Sequence, residues 1–148
     1  MQSDEKKVNE QHLEFIQNSI TRMNQCSFQM KGWAITIVSA LIAVYVSTSS
    51  AECSGNKMYI WIAMVPTVLF WLLDAFYLSK EHKFIGIYND VAGITKEDKR
   101  IAVKEYEMPL KKYKGWKYSF LKALIWSFST APLYGIIIIG LLIFGIVA

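Results

Sequence analysis

Apolar positions gather in three blocks separated by polar and charged stretches. The longest covers residues 58–78, MYIWIAMVPTVLFWLLDAFYL. A helix that crosses a bilayer needs about 20 mostly apolar residues, and a helix apolar on every face is not the amphipathic helix of a soluble surface. Residues 32–47, GWAITIVSALIAVYVS, form the second block, and residues 131–148 the third. Ahead of the 32–47 block the pattern changes. Leu13, Ile16, Ile20, Met23, Ser27 and Met30 recur at alternating spacings of three and four, with Gln11, Asn18, Thr21 and Gln25 opposite them. This predicts an amphipathic helix over 8–30 that runs straight into the apolar block. Its apolar face has two candidate partners, the long loop of its own chain or the same helix of a second subunit.

Residues 48–57 read as a short polar turn, and residues 79–119 as a long polar loop with turn signals at Gly86, Asn89–Asp90, Gly93, Pro109 and Gly115. Within the loop, Thr95-Lys-Glu-Asp has the form of a helix N-cap with acidic first-turn residues. It predicts a short helix over 96–106. Residues 120–128 are amphipathic, and Pro132 is expected to kink their junction with the third block. The expected fold is an all-α membrane protein with three transmembrane helices, an amphipathic N-terminal helix and a helical cytosolic loop. It forms one membrane-embedded unit over 1–148: a cytosolic helix at 1–31, spans at 32–47 and 58–78, the loop at 79–119, and an amphipathic segment plus third span at 120–148.

Composition and charge sharpen this picture. The chain of 148 residues is 53% hydrophobic and 14% aromatic, more apolar than an ordinary small soluble domain. Of 16 Lys and Arg, only Lys57 lies between the first two spans. The positive-inside bias therefore puts the N-terminus and the loop in the cytosol, and three spans put the C-terminus on the periplasmic side. That topology places Cys26 and Cys53 on opposite sides of the membrane. Free thiols are expected, although Cys53 faces the oxidising side and could cross-link subunits.

Three features carry candidate chemistry. Asp74 is a carboxylate inside a span, where charge is costly and needs a partner or an aqueous path. Lys31 and Arg22 are its candidate partners. An ion pair that holds the helices and a gate or cation path are both open readings. Lys111, Lys112, Tyr113, Lys114, Trp116 and Lys117 make LKKYKGWKY the most basic and aromatic run. Such a run suits a juxtamembrane anchor on anionic lipid. It equally suits a platform for single-stranded DNA or a nucleotide, with lysines on phosphates and rings on bases. The third span is wholly aliphatic around Ile138, Leu141 and Leu142, the candidates for a pore constriction that closes by dewetting. His12 and His82 are isolated, and no phosphate-cradling glycine loop or nucleophile turn is present. Neither an enzyme nor a bound metal or cofactor is expected.

Arg22-Met23, Ser27-Phe28 and Lys31-Gly32-Trp33, followed by Phe70-Trp71, Leu73-Asp74, Tyr77-Leu78, Glu81 and Tyr88, resemble a group of small three-span membrane effectors of bacterial anti-phage defence, nearest to the channel effectors of Hailong-type systems. The resemblance covers about a fifth to a quarter of the chain. It implies a tetrameric ion channel in the bacterial inner membrane, held shut by a single-stranded oligodeoxyadenylate that an operon-encoded nucleotidyltransferase makes. The competing expectation is a non-conducting membrane anchor or partner-binding subunit.

Overall fold

The computed structural model describes residues 2–49 and 57–147, with side chains over 9–49 and 57–146. Cys53 and most of the expected 48–57 turn lie outside the described residues. Among those described there are only helices, turns and extended segments, with no strand. Helix α1 runs unbroken over Gln2–Thr48, about 70 Å at 1.5 Å per residue. It joins the expected cytosolic helix and first span into one rod. Its inward positions, Ile16, Ser27, Ala34, Val38 and Tyr45, are buried. They recur at helical spacing along one face.

Helix α2 covers Met58–Val91, with Pro66 inside it. It packs along α1 as an antiparallel hairpin. It passes well beyond residue 78, where the sequence places the start of a loop. Gly86 is the reason that turn signal misleads. A Cβ at this position would lie 2.8 Å from Tyr113 Cδ1 and 2.8 Å from Tyr118 Oη, so the glycine admits two aromatic rings against the helix. The helix ends at Gly93 instead, which takes a positive φ of 75°. There Ile94 N donates to Asn89 O at 2.9 Å and Gly93 N to Asp90 O at 3.3 Å, the Schellman arrangement that a left-handed glycine permits.

The helix expected over 96–106 is not formed. Only a 3₁₀ turn at Glu97–Lys99 appears, and Thr95 does not cap it. Beyond it the chain is extended, with Ile101 and Val103 turned partly inward and Ala102 and Lys104 outward. Alternating β-branched residues suit an extended path. Asp90 captures the segment by accepting Ile101 N–H at 3.3 Å. A second 3₁₀ turn, Trp116–Tyr118, leads into the short helix α3, Phe120–Ile125, whose N-cap Ser119 accepts Leu121 N–H. Helix α4 covers Ala131–Val147. Pro132 sits in its first turn, where no N–H is needed. It starts a new helix rather than kinking a continuous one.

Helices α1 and α2 are each long and apolar enough to cross a membrane, and α4 is a shorter apolar helix. Two cores form along the hairpin. At one end Val38 and Tyr45 of α1, Ile60 and Ala63 of α2 and Leu141 of α4 pack together. At the other, Ile16 and Ile87 close over Tyr113, flanked by Ile20, Phe84, Ile101 and Val103. The amphipathic face of α1 thus meets its own chain's 92–119 segment.

Candidate functional site

Between the two cores lies a buried polar cluster. Ser27 and Lys31 are four residues apart on α1, which sets them on one face. Both point at Asp74 of α2. Lys31 Nζ lies 2.8 Å from Asp74 Oδ2 and donates to Asp74 Oδ1 at 3.0 Å and to Ser27 Oγ at 2.7 Å. Ser27 in turn donates to Asp74 Oδ1. Asp74 is fully buried, and the Lys31 side chain is 16% exposed. Taking two charges out of water is costly, and the pair is viable because the hydroxyl adds hydrogen bonds to the Coulomb attraction. Arg22, the other candidate partner, is exposed. It points away because residue 22 lies off the helical face of 27 and 31.

Tyr134 of α4 is also fully buried. Its hydroxyl lies beside Asp74 but outside hydrogen-bonding geometry. Trp71 stacks on Tyr134 with centroids 6.3 Å apart, and its indole N–H donates to Leu124 O at 3.2 Å. Thr130 Oγ1 donates to Ala123 O at 2.8 Å. The α3–α4 junction is thereby strapped to the helix that carries Asp74. Ser27 belongs to the periodic face of the 8–30 stretch, but neither it nor Tyr134 is a candidate partner of Asp74 in the sequence. The only available signal was the four-residue spacing of Ser27 and Lys31.

The basic run divides by direction. Tyr113 is buried and donates to Asp90 Oδ2 at 2.5 Å. Burial, followed by the Asp90 carboxylate, pushes its phenol well above the usual tyrosine range. Tyr118 meets it edge-on at 5.6 Å. Tyr113 is therefore a core anchor, and its ring is not free to stack on a base. Lys111, Lys112, Lys114, Lys117 and Trp116 are exposed. Lys112 is 3.4 Å from Glu107, and Lys117 lies over the Tyr118 ring. Lys114 and Trp116 instead border a groove of about 520 Å³, together with Phe76, Lys80, Lys83 and Phe120. The two α2 lysines lie more than 25 residues before the run in sequence, and only folding brings them to it.

The candidate pore residues on α4 also separate. Leu141 is buried in its own chain's core, because α4 presents it to Val38 and Ile60. It therefore cannot line a path between subunits. Ile138 is half-buried and Leu142 exposed. Among the described residues, no three His, Cys, Asp or Glu side chains are grouped to hold a metal ion. Comparison of the chain with models of protein families, with curated proteins and with solved structures returns no match.

Proposed function

We propose that this chain is one subunit of a homo-oligomeric ion channel in the bacterial cytoplasmic membrane. In this reading it is an effector of anti-phage defence, and a single-stranded oligodeoxyadenylate or nucleotide signal controls it at the cytosolic basic segment. Residues 32–47, residues 58–78 and α4 are the three spans, with the N-terminus and the 79–119 segment cytosolic.

The observation that supports conduction is the outer face of α1. Gln25, Gln29, Gly32, Thr36, Ser39 and Ala43 are all exposed, on the side opposite the buried Ser27, Ala34, Val38 and Tyr45. Around Gly32 no atom lies within 4 Å of where a Cβ would sit. The outward faces of the other two spans are different. On α2 Trp61, Val65, Leu69 and Leu72 are exposed, and on α4 Ile136, Ile139, Ile143 and Ile146. Those surfaces suit lipid. The α1 row has no such apolar cover. Within the span it presents the hydroxyls of Ser39 and of Thr36, which also donates to Gly32 O at 2.9 Å, and Gln25 and Gln29 continue it beyond the span. Such small and polar positions suit water or a neighbouring helix better than lipid. One chain of three spans encloses no water. Copies arranged about a symmetry axis with α1 innermost would put this row on a shared aqueous path. The lining helix is then α1, in place of the aliphatic α4.

Ion flux from liposomes carrying purified protein tests this. Wild type is expected to conduct, Gln29→Leu and Thr36→Leu to lower flux, and Ile139→Leu to leave it unchanged. Oligodeoxyadenylate on the cytosolic side is expected to reduce flux, and Lys111→Gln/Lys112→Gln to weaken that response. A chain that folds and inserts but carries no flux under any condition would be a non-conducting anchor or partner-binding subunit.

A further inference from the structure

We propose that the groove beside α3 is a headgroup site for an anionic phospholipid of the cytosolic leaflet, its phosphodiester held by Lys80, Lys83 and Lys114. The site is independent of whether the chain conducts. Three lysines from two distant segments border one cavity, with Lys80 Nζ over the ring of Phe76 in the same wall, and no carboxylate is among its lining residues. Glu81, the acid adjacent to Lys80, faces α1 and accepts a hydrogen bond from Asn24 at 3.4 Å. Lys112, outside the groove, has Glu107 beside it. The three groove lysines have no such neighbour among the described residues. Like charges gathered around one cavity repel, and a bound anion relieves that repulsion.

The walls select the kind of anion. Phe76, Trp116 and Phe120 border the groove and are exposed. Next to them α3 and the residues after it expose Leu121, Ile125, Trp126 and Phe128, the last almost completely at 97%. Aromatic and aliphatic side chains so placed, with lysines alongside, mark the headgroup level of a membrane. A ligand that meets both halves must be amphiphilic, with an anionic head and an apolar tail. A free phosphate would leave the apolar half uncovered. An oligonucleotide could stack bases on the rings but would leave the aliphatic Leu121 and Ile125 beside them exposed.

The groove is also held in shape. Its back wall is Tyr113 and Tyr118. Asp90 fixes Tyr113, and Ser79 Oγ donates to Tyr118 O at 3.0 Å. Gly115, with φ of 115°, turns the chain at the rim so that Lys114 and Trp116 border the same cavity.

The test uses the full chain purified in neutral detergent and titrated at low salt with short-chain phosphatidylglycerol or phosphatidylcholine, read as the shift in melting temperature. Phosphatidylglycerol is expected to raise it saturably and phosphatidylcholine to leave it unchanged. Lys80→Gln/Lys83→Gln should weaken the phosphatidylglycerol response about 30-fold, given the usual contribution of each lysine near an anionic surface. Lys80→Arg/Lys83→Arg should keep it. If the glutamine pair does not fold, Lys114→Gln alone is expected to weaken the response about fivefold. Equal responses to the two lipids, or an unchanged response in the glutamine variants, would overturn the proposal. So would a labelled oligonucleotide that phosphatidylglycerol displaces and that the Lys80→Gln/Lys83→Gln chain no longer binds, since the groove would then be a nucleic-acid site. Liposome flux is a separate readout, so this result and the channel reading fail independently.

Discussion

Asp74 and Asp90 are both buried on α2, about 24 Å apart along the helix axis, and they are satisfied in different ways. Asp74 takes an ammonium and a hydroxyl, both from α1. Asp90 takes the Tyr113 phenol and the Ile101 N–H, both from the segment that follows α2. The first joint is ionic and ties helix to helix. The second uses neutral donors and ties a wrapping segment to a helix. At Asp74 the desolvation of the carboxylate is offset by a counter-charge together with a hydroxyl donor. Asp90 lies under a loop, at 7% exposure, and neutral donors suffice there. The same residue type therefore fixes the hairpin at one level and holds the 92–119 segment against it at the other.

The largest effect is expected at the ionic joint. Asp74→Asn leaves the largely enclosed Lys31 ammonium with Ser27 Oγ but without its counter-charge and should cost about 3–5 kcal/mol. Lys31→Met/Asp74→Leu removes both charges and should recover most of that loss. Thermal unfolding in detergent measures both. An Asp74→Asn chain as stable as wild type would mean that the pair holds nothing together.

A smaller loss is expected at the neutral joint. Tyr113→Phe removes one donor from Asp90, which keeps Ile101 N–H, and should cost about 1–3 kcal/mol. Gly86→Ala forces a methyl against the same ring and should cost a similar amount, about 1–3 kcal/mol. Both should loosen the 92–119 segment selectively, seen as faster amide exchange there with the α1–α2 hairpin still protected. If exchange rises equally in the hairpin, the two joints form one cooperative unit and the contrast between them fails.

The smallest effect concerns pH and His82, which sits between the aspartates on the stretch of α2 beyond residue 78. Burial holds its pKa below the ordinary histidine value, and Lys122 and Lys117 lower it further against the opposing pull of Glu81. A folded-state pKa below the unfolded one means that the unfolded chain binds the proton more readily. The His82 contribution is thus complete above about pH 6.5 and is lost as pH falls through the folded value. His82→Gln should flatten the melting temperature over this range. An unchanged slope in that variant would assign the acid sensitivity to other groups.

Much of the helical plan follows from patterning. The three apolar blocks and the amphipathic 8–30 stretch correspond to α1, α2 and α4, because hydrophobic periodicity is a local property that a linear reading can detect. Asp74 was conspicuous as the only carboxylate in its block, and Lys31 was one of two cations near its depth. The choice of Lys31 over Arg22 depended on helical phase, which a continuous α1 sets. The 79–119 region was least legible. Gly86 reads as a turn in isolation, yet it lies within α2 because two rings need its missing side chain. Thr95-Lys-Glu-Asp reads as a helix start, yet tertiary capture of Ile101 and Val103 outweighs that weak local preference.

The sequence by itself determined that this chain is helical, that two of its helices have the length and apolarity to cross a membrane, and where its charges lie along the chain. Those properties depend on neighbours three or four residues apart, and composition and spacing report them directly. Tertiary structure alone decided which polar groups meet. It joined Ser27 to Asp74, turned Tyr113 inward to Asp90 while its lysine neighbours stayed outside, and brought Lys80 and Lys83 to Lys114 around one groove. Each pairing links positions far apart in the chain. It depends on helix phase and on packing, and a one-dimensional pattern does not contain that information.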